Sequence, residues 1–182
     1  FDRFGVKVTE IKALGGTNTH VGLDKFDRKI LSALAQNGRL SITDLAQAIG
    51  LSKSPTQARL RRLEQSGVIK GYRALLDPIQ LGLDHVAFVE VSLSDTREAA
   101  LSAFNTAVST IGEIEQVHLI AGNFDYLMKI RTRNMADYRR VLGEQISSLP
   151  HVASTSTYVA MQAVKEDVSG DLSDCENGGE FQ

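Results

Sequence analysis

Arg59, Arg61 and Arg62 place three guanidinium groups within four consecutive residues, and Lys53 adds an ammonium group just before them. A guanidinium stays protonated and offers a planar fork of donors, so its chemistry is recognition of phosphate or base edges rather than proton transfer. Ser54 and Gln57 stand among these cations and carry groups able to read bases. At 100° per residue, Thr56, Leu60 and Leu63 share one helix face, while Ser54, Gln57, Ala58, Arg61 and Arg62 project broadly the other way. Arg59 falls at the edge of the apolar face, where a phosphate contact and a structural ion pair are both open. Taken alone, such a run is most often a solvated helix face. The elements before it argue otherwise.

Those elements are two short helices. The first opens near Asp24 and Asp27, whose carboxylates suit a helix N-terminus, and repeats Ile30, Leu31 and Leu34 at helical spacing, with Gly38 as its stop. The second opens on Ser41-Ile42-Thr43-Asp44, resembles a capping box, and buries Leu45, Ala46 and Ile49 before Gly50. A turn at Leu51 and Ser52 leads into the third, which starts at Ser52 or Ser54; Pro55 as first helical residue favours Ser54. It stops at Gly67. Two short helices joined by a glycine-containing turn outline a helix-turn-helix, with the polar, cationic face on the helix that would enter a major groove. Val68 to Leu76 is β-leaning and reads as a wing or as a strand leading out. Asp77-Pro78 and Gly82 mark a hinge.

Beyond Asp84 the pattern changes. His85–Leu93 alternates as a strand; 96–111 sets Leu101, Phe104, Val108 and Ile111 on one helical face. Ile114–Ile120 and Tyr126–Arg131 are strands, joined by a hairpin turn at Gly122-Asn123-Phe124-Asp125. Asn134 and Asp137 cap a further helix that carries Tyr138, Val141, Leu142 and Leu149 and ends at Pro150, and 152–164 supplies the last strand. The order βαββαβ is that of a ferredoxin-like sandwich with two helices on one sheet face, leaving a second face that self-association would cover. The fold class is therefore α+β: an N-terminal winged helix-turn-helix over 22–76, a hinge over 77–83 and a ferredoxin-like domain over 84–165. The same strand order occurs in RNA-recognition modules. Those stack bases on aromatic residues of their central strands, and Tyr126-Leu127-Met128-Lys129-Ile130-Arg131 lacks that motif.

Composition agrees. Net charge is only −2 over the whole chain, yet 21–78 holds ten Lys and Arg against five Asp and Glu, while 166–182 holds six acids and no base. A basic block hidden by an acidic end points to a polyanionic partner for one face. The end segment reads as a disordered, solubilising tail, and 1–21 as an extension without an assigned role. Cys175 stands alone, which fits a reducing cytoplasm. No apolar run approaches the ~20 residues of a membrane span, and Asp2 and Glu10 argue against a signal peptide. His20, His85, His118 and His151 are too scattered for metal-ligand spacing. No nucleophile elbow, phosphate loop or dinucleotide fingerprint occurs, so no enzymatic activity, cofactor or metal is expected.

Several of these segments resemble one family. Leu23-Asp24, Asp27-Arg28-Lys29-Ile30-Leu31, Gly38-Arg39-Leu40-Ser41, Leu45-Ala46, Leu51-Ser52, Arg59 to Glu64, Gly67-Val68-Ile69 and Gly71-Tyr72 belong to the pattern. Gly122, Asp125-Tyr126-Leu127 and the helix from Met135 continue it. Together they are similar to the leucine-responsive/asparagine-regulator (Lrp/AsnC) transcriptional regulators, over about 22–165. The resemblance implies double-stranded DNA as partner, an amino acid or related metabolite as effector, and dimers that join into octamers or other assemblies. It implies DNA contacts at Lys53, Ser54, Gln57, Arg59, Arg61 and Arg62. It also implies effector binding at Gly122, Asn123 and Asp125 of the turn and at Thr155 and Thr157 of the last strand. Many members carry an acid where Asn123 stands. The expectation is a cytoplasmic, nucleoid-associated regulator whose assembly and DNA binding answer to nutrient level. Two other readings stand beside it: an architectural DNA-binding protein without a ligand, which would show no effector response, and a ferredoxin-like enzyme, which would need a polar catalytic cluster.

Overall fold

The computed structural model describes residues 22–166, which divide into two compact units, 22–74 and Leu75–Glu166. The expected extension 1–21 and the tail beyond Glu166 lie outside the described residues.

The first unit is three helices, α1 (Lys25–Gln36), α2 (Ile42–Ile49) and α3 (Lys53–Gln65). A reciprocal capping box starts α1: the Asp24 carboxylate accepts from the N–H of Phe26 and Asp27, and Asp27 accepts from the Asp24 N–H. Each bond satisfies an amide that the helix start would leave unpaired. Ser41 caps α2 by accepting from Asp44 N–H at 3.2 Å, and Gly50, at φ 75°, ends it in a left-handed conformation that costs glycine little. Ser52 precedes α3, so Pro55 is its third residue rather than its first. No i−4 bond is lost, because amides of the first turn have no helical partner. Ile30, Leu45, Ile49 and Leu63 form the buried core, with Leu60 and Leu34 packed beside them.

The expected wing does not pair: 68–76 carries no strand among the described residues. A strand needs a ladder for its amides and carbonyls, and this unit offers none. Tyr72 nevertheless packs back, its hydroxyl donating to Glu64 at 3.0 Å. Burial, then the Glu64 carboxylate, push the Tyr72 phenol up to about 12. The expected hinge is an ordered turn. Asp77 accepts from Ile79 N–H, Leu83 N–H donates to the Pro78 carbonyl, and Arg131 donates to the Leu83 carbonyl.

The second unit follows β1 (His85–Leu93), α4 (Glu98–Val108), β2 (Ile114–Leu119), β3 (Tyr126–Thr132), α5 (Met135–Val141) and β4 (Val152–Val159), with a π-helical turn Leu142–Ile146 after α5. The antiparallel sheet runs β2-β3-β1-β4, the ferredoxin-like order. Tyr126, Met128, Ile130, Ala87, Val89 and Val91 turn to the helices and meet Phe104, Tyr138, Val141 and Ile146. The last strand stops at Val159 rather than reaching Val164. Ala160 N–H donates to the Val86 carbonyl, and β1 begins one residue earlier, so no ladder remains to be joined.

Candidate nucleic-acid interface and ligand-binding turn

On α3 the buried stripe is Thr56 and Leu63, the other side exposes Ser54, Gln57 and Arg61, and Lys53 is exposed as the first helical residue. Serine, glutamine and arginine at positions 54, 57 and 61 follow helical spacing, so they line one side of the helix. Among the described residues no ion pair engages Lys53 or Arg61. Their charges face water and would gain from a polyanion.

Arg59 and Arg62 are differently placed. Arg59 Nη1 lies 2.5 Å from Asp24 Oδ2 and 3.0 Å from Asp27 Oδ1, with its guanidinium 5.5 Å from the Phe26 ring centroid. Arg62 Nη2 donates to Asp27 Oδ2. The structural ion pair, one of the two readings open for Arg59, is present. The Asp27 N–H above all holds the Asp24 carboxyl below its usual range; burial opposes it, and the Arg59 guanidinium adds to the lowering. Asp24 and then Asp27 raise Arg59 in return.

In the second unit, Gly122, Asn123 and Asp125 share the β2–β3 turn, with Gly122 and Asn123 exposed and Asp125 half-buried. Asp125 stitches this turn to β1. Its N–H donates to the Val91 carbonyl, its carbonyl accepts from Ile120, and its Oδ2 accepts from Leu93 N–H at 2.6 Å. Val91 is the last β1 residue opposite β3, so the Leu93 amide lies past the end of that ladder and the side chain supplies its acceptor. Asp125 Oδ1 makes no hydrogen bond among the described residues. Beneath the turn, the Tyr126 ring stacks on Phe104 at 4.4 Å between centroids and its hydroxyl donates to Asn105.

Thr155 and Thr157 are not brought to that turn. They lie on β4, opposite Val91 and Val89, with β1 between them and β3. Two strand spacings amount to about 9.5 Å. Thr157 instead meets the Tyr138 hydroxyl at 2.5 Å.

One polar cluster escaped the sequence reading. Lys129 and Arg131 project from β3 away from the helices and pair with Glu115 and Glu166. Burial alone would depress both cations, but bonds to the two glutamates outweigh it and raise them; the Lys129 ammonium in turn lowers Glu166. The available signal was two cations at alternate positions of a strand otherwise apolar. Among the described residues no three or more His, Cys, Asp or Glu side chains gather as a metal site requires, and no helix is long and apolar enough to cross a membrane.

A helix-turn-helix with a cationic, polar outer stripe, joined in sequence to an antiparallel sheet with one open face, defines a DNA-binding regulator with a sensing domain. Comparison with known proteins gives the same division. Residues 23–70 match the winged helix-turn-helix DNA-binding family, and residues 86–169 match the Lrp/AsnC ligand binding domain. The chain is 60% identical over 144 residues to the proline dehydrogenase transcriptional activator of Rhizobium radiobacter, covering 79% of this chain and 92% of that protein. It is 45% identical over 144 residues to the leucine-responsive regulatory protein of Escherichia coli K12, covering 79% and 88%. A transcriptional regulator from Neisseria meningitidis, solved as a complex with L-Met, superposes with a TM-score of 0.77 at 30% identity, covering 84% of this chain and 99% of that one. The chain belongs to the Lrp/AsnC family. It is a transcriptional regulator, not an enzyme, with a DNA-binding helix-turn-helix and a ligand-binding domain.

Proposed function

We propose that α3 enters the major groove with Lys53, Ser54, Gln57 and Arg61 against DNA, and that an amino acid bound at the 122–125 turn alters assembly and so DNA binding. The observation that carries this is the unpaired, exposed stripe on α3 in the first unit, together with a turn in the second unit whose Asp125 keeps one oxygen free. That oxygen suits an α-amino group, and the N–H groups of Gly122 and Asn123, which donate no backbone hydrogen bond among the described residues, would take a carboxylate. Asn123, being neutral, adds no second charge to repel the ligand's carboxylate. Thr155 and Thr157 would contribute from a second copy or not at all.

The name of the Rhizobium relative makes proline the first effector to try and the promoter of a proline dehydrogenase gene the first DNA. The sheet face opposite the helices presents Phe88 and Tyr158 as directly opposed partners, both exposed. We place a second copy there, with dimers joining into octamers or another even assembly. A ligand at a junction between copies couples the two sites, typically by about 1–3 kcal/mol. The setting is the cytoplasm, at the nucleoid.

The deciding experiment titrates each amino acid into the protein bound to its own upstream DNA while sedimentation follows assembly. One amino acid shifting both is the expected result. Tight binding indifferent to all of them would favour an architectural role, and no binding at low salt would end the DNA reading. Arg61→Ala is expected to weaken binding and to flatten the slope of log affinity against log salt by about 0.9, the loss of one phosphate contact.

A further inference from the structure

We propose that Asp27 is a positioning residue that withholds Arg59 and Arg62 from DNA phosphates, leaving Arg61 and Lys53 as the cations that α3 offers. This rests on the reading that α3 is the helix that meets DNA.

Asp27 is fully buried, yet it is a carboxylate with three donors on it: Arg59 at Oδ1, and Arg62 and the Asp24 N–H at Oδ2. A buried charge is tolerated only while it is paired and hydrogen-bonded. A phosphate that drew both arginines away would leave that carboxylate uncompensated, so the competition favours the protein pairs. Arg59 is held most firmly, because Asp24 grips the same nitrogen and the Phe26 ring lies against its guanidinium. Arg62 is half-exposed, but it has the same buried carboxylate to satisfy.

The consequence concerns selectivity. Binding to arbitrary DNA draws almost all its free energy from counterion release by cations on phosphates, whereas a specific site adds base contacts. Taking two guanidiniums out of the phosphate pool weakens both alike, so base contacts make up a larger share of what holds a specific site. The side chains best suited to base edges, Ser54 and Gln57, remain unencumbered.

The test uses the full chain, its upstream duplex and a random-sequence duplex of equal length. Asp27→Asn keeps the shape and one carbonyl acceptor but removes the charge. The salt slope on both duplexes is expected to steepen by about 0.9 for each arginine released. A purely packing role for Asp27 would lower the thermal midpoint without steepening the slope, and that result overturns the proposal. Should Asp27→Asn not fold, Arg62→Gln decides, since Arg59 still covers the carboxylate. Its slope is expected to equal that of the unmodified protein, while Arg61→Gln flattens it by about 0.9. Equal flattening by the two variants refutes withholding. If Arg61→Gln also leaves the slope unchanged, the α3 reading itself fails and this proposal falls with it.

Discussion

Three arginines in a four-residue run end in three environments, and the difference comes from what α1 presents to them. Arg59 meets two carboxylates and an aromatic ring, Arg62 meets one buried carboxylate, and Arg61 meets water. Asp125 shows the same division within one side chain: Oδ2 holds the Leu93 amide, and Oδ1, without a hydrogen bond among the described residues, is the oxygen we propose for the ligand. Asp125→Ala therefore removes two things at once. It is expected to destabilise the second unit by about 1 kcal/mol, toward the low end of the cost of an unpaired donor because the Leu93 amide is only part-buried, and to abolish the amino-acid response. Asp125→Asn separates them: denaturation should show most of the stability regained through the amide oxygen, with no recovery of the response in the binding titration. A full response in either variant would take Asp125 out of the effector site.

Among the elements, α1 does more than contribute apolar residues. Its N-cap, Asp24, closes the capping box and also reaches Arg59 on α3, so one carboxylate both starts the first helix and locks the third. Asp24→Ala is expected to cost about 0.5–2 kcal/mol, measured as a shift in denaturation midpoint, with Asp24→Asn closer to the unmodified protein because asparagine caps well. A neutral Asp24→Ala would mean that the cap and the Arg59 pair contribute nothing net. Acid should act on the same contact. A carboxyl whose folded pKa lies below its unfolded value stabilises the fold above the unfolded value, near pH 4, and that stability is lost as pH falls through the depressed folded value. Glu166, lowered first by Lys129, follows the same sign in the second unit. Thermal midpoints taken from pH 6 to pH 2 should hold down to about pH 4 and then decline, and the Asp24→Ala variant should lose less over that range.

For the whole molecule the notable feature is the uncovered side of the sheet. Phe88 and Tyr158 are exposed large side chains on it, and Lys129 and Arg131 lie beside them held by Glu115 and Glu166. Apolar area of this kind, bordered by satisfied charges, suits a self-complementary interface. Phe88→Glu is expected to shift sedimentation toward smaller species while circular dichroism stays unchanged. Because cooperating half-sites need linked readers, affinity for the upstream duplex should drop at least tenfold. An unaltered assembly would move the interface elsewhere.

The sequence by itself determined the elements and their order. Helical spacing of Ile30, Leu45, Ile49 and Leu63, caps at Asp24, Ser41 and Asn134, and strand alternation in 85–93 and 126–131 are local signals, written within a few residues of where they act. The polar stripe of α3 and the Gly122–Asp125 turn were legible for the same reason. What only the tertiary structure decided depended on partners distant in the chain. That Arg59 meets protein carboxylates turned on Asp24 and Asp27, over thirty residues away. Whether 68–76 became a strand turned on a ladder that the first unit does not supply, and the last strand ended where β1 ended. Thr155 and Thr157 shared a plausible residue type with the turn, but β1 was inserted between β3 and β4, and that order fixes the distance. Periodicity reports which face a residue occupies; which charge stands opposite is settled only when the chain folds back on itself.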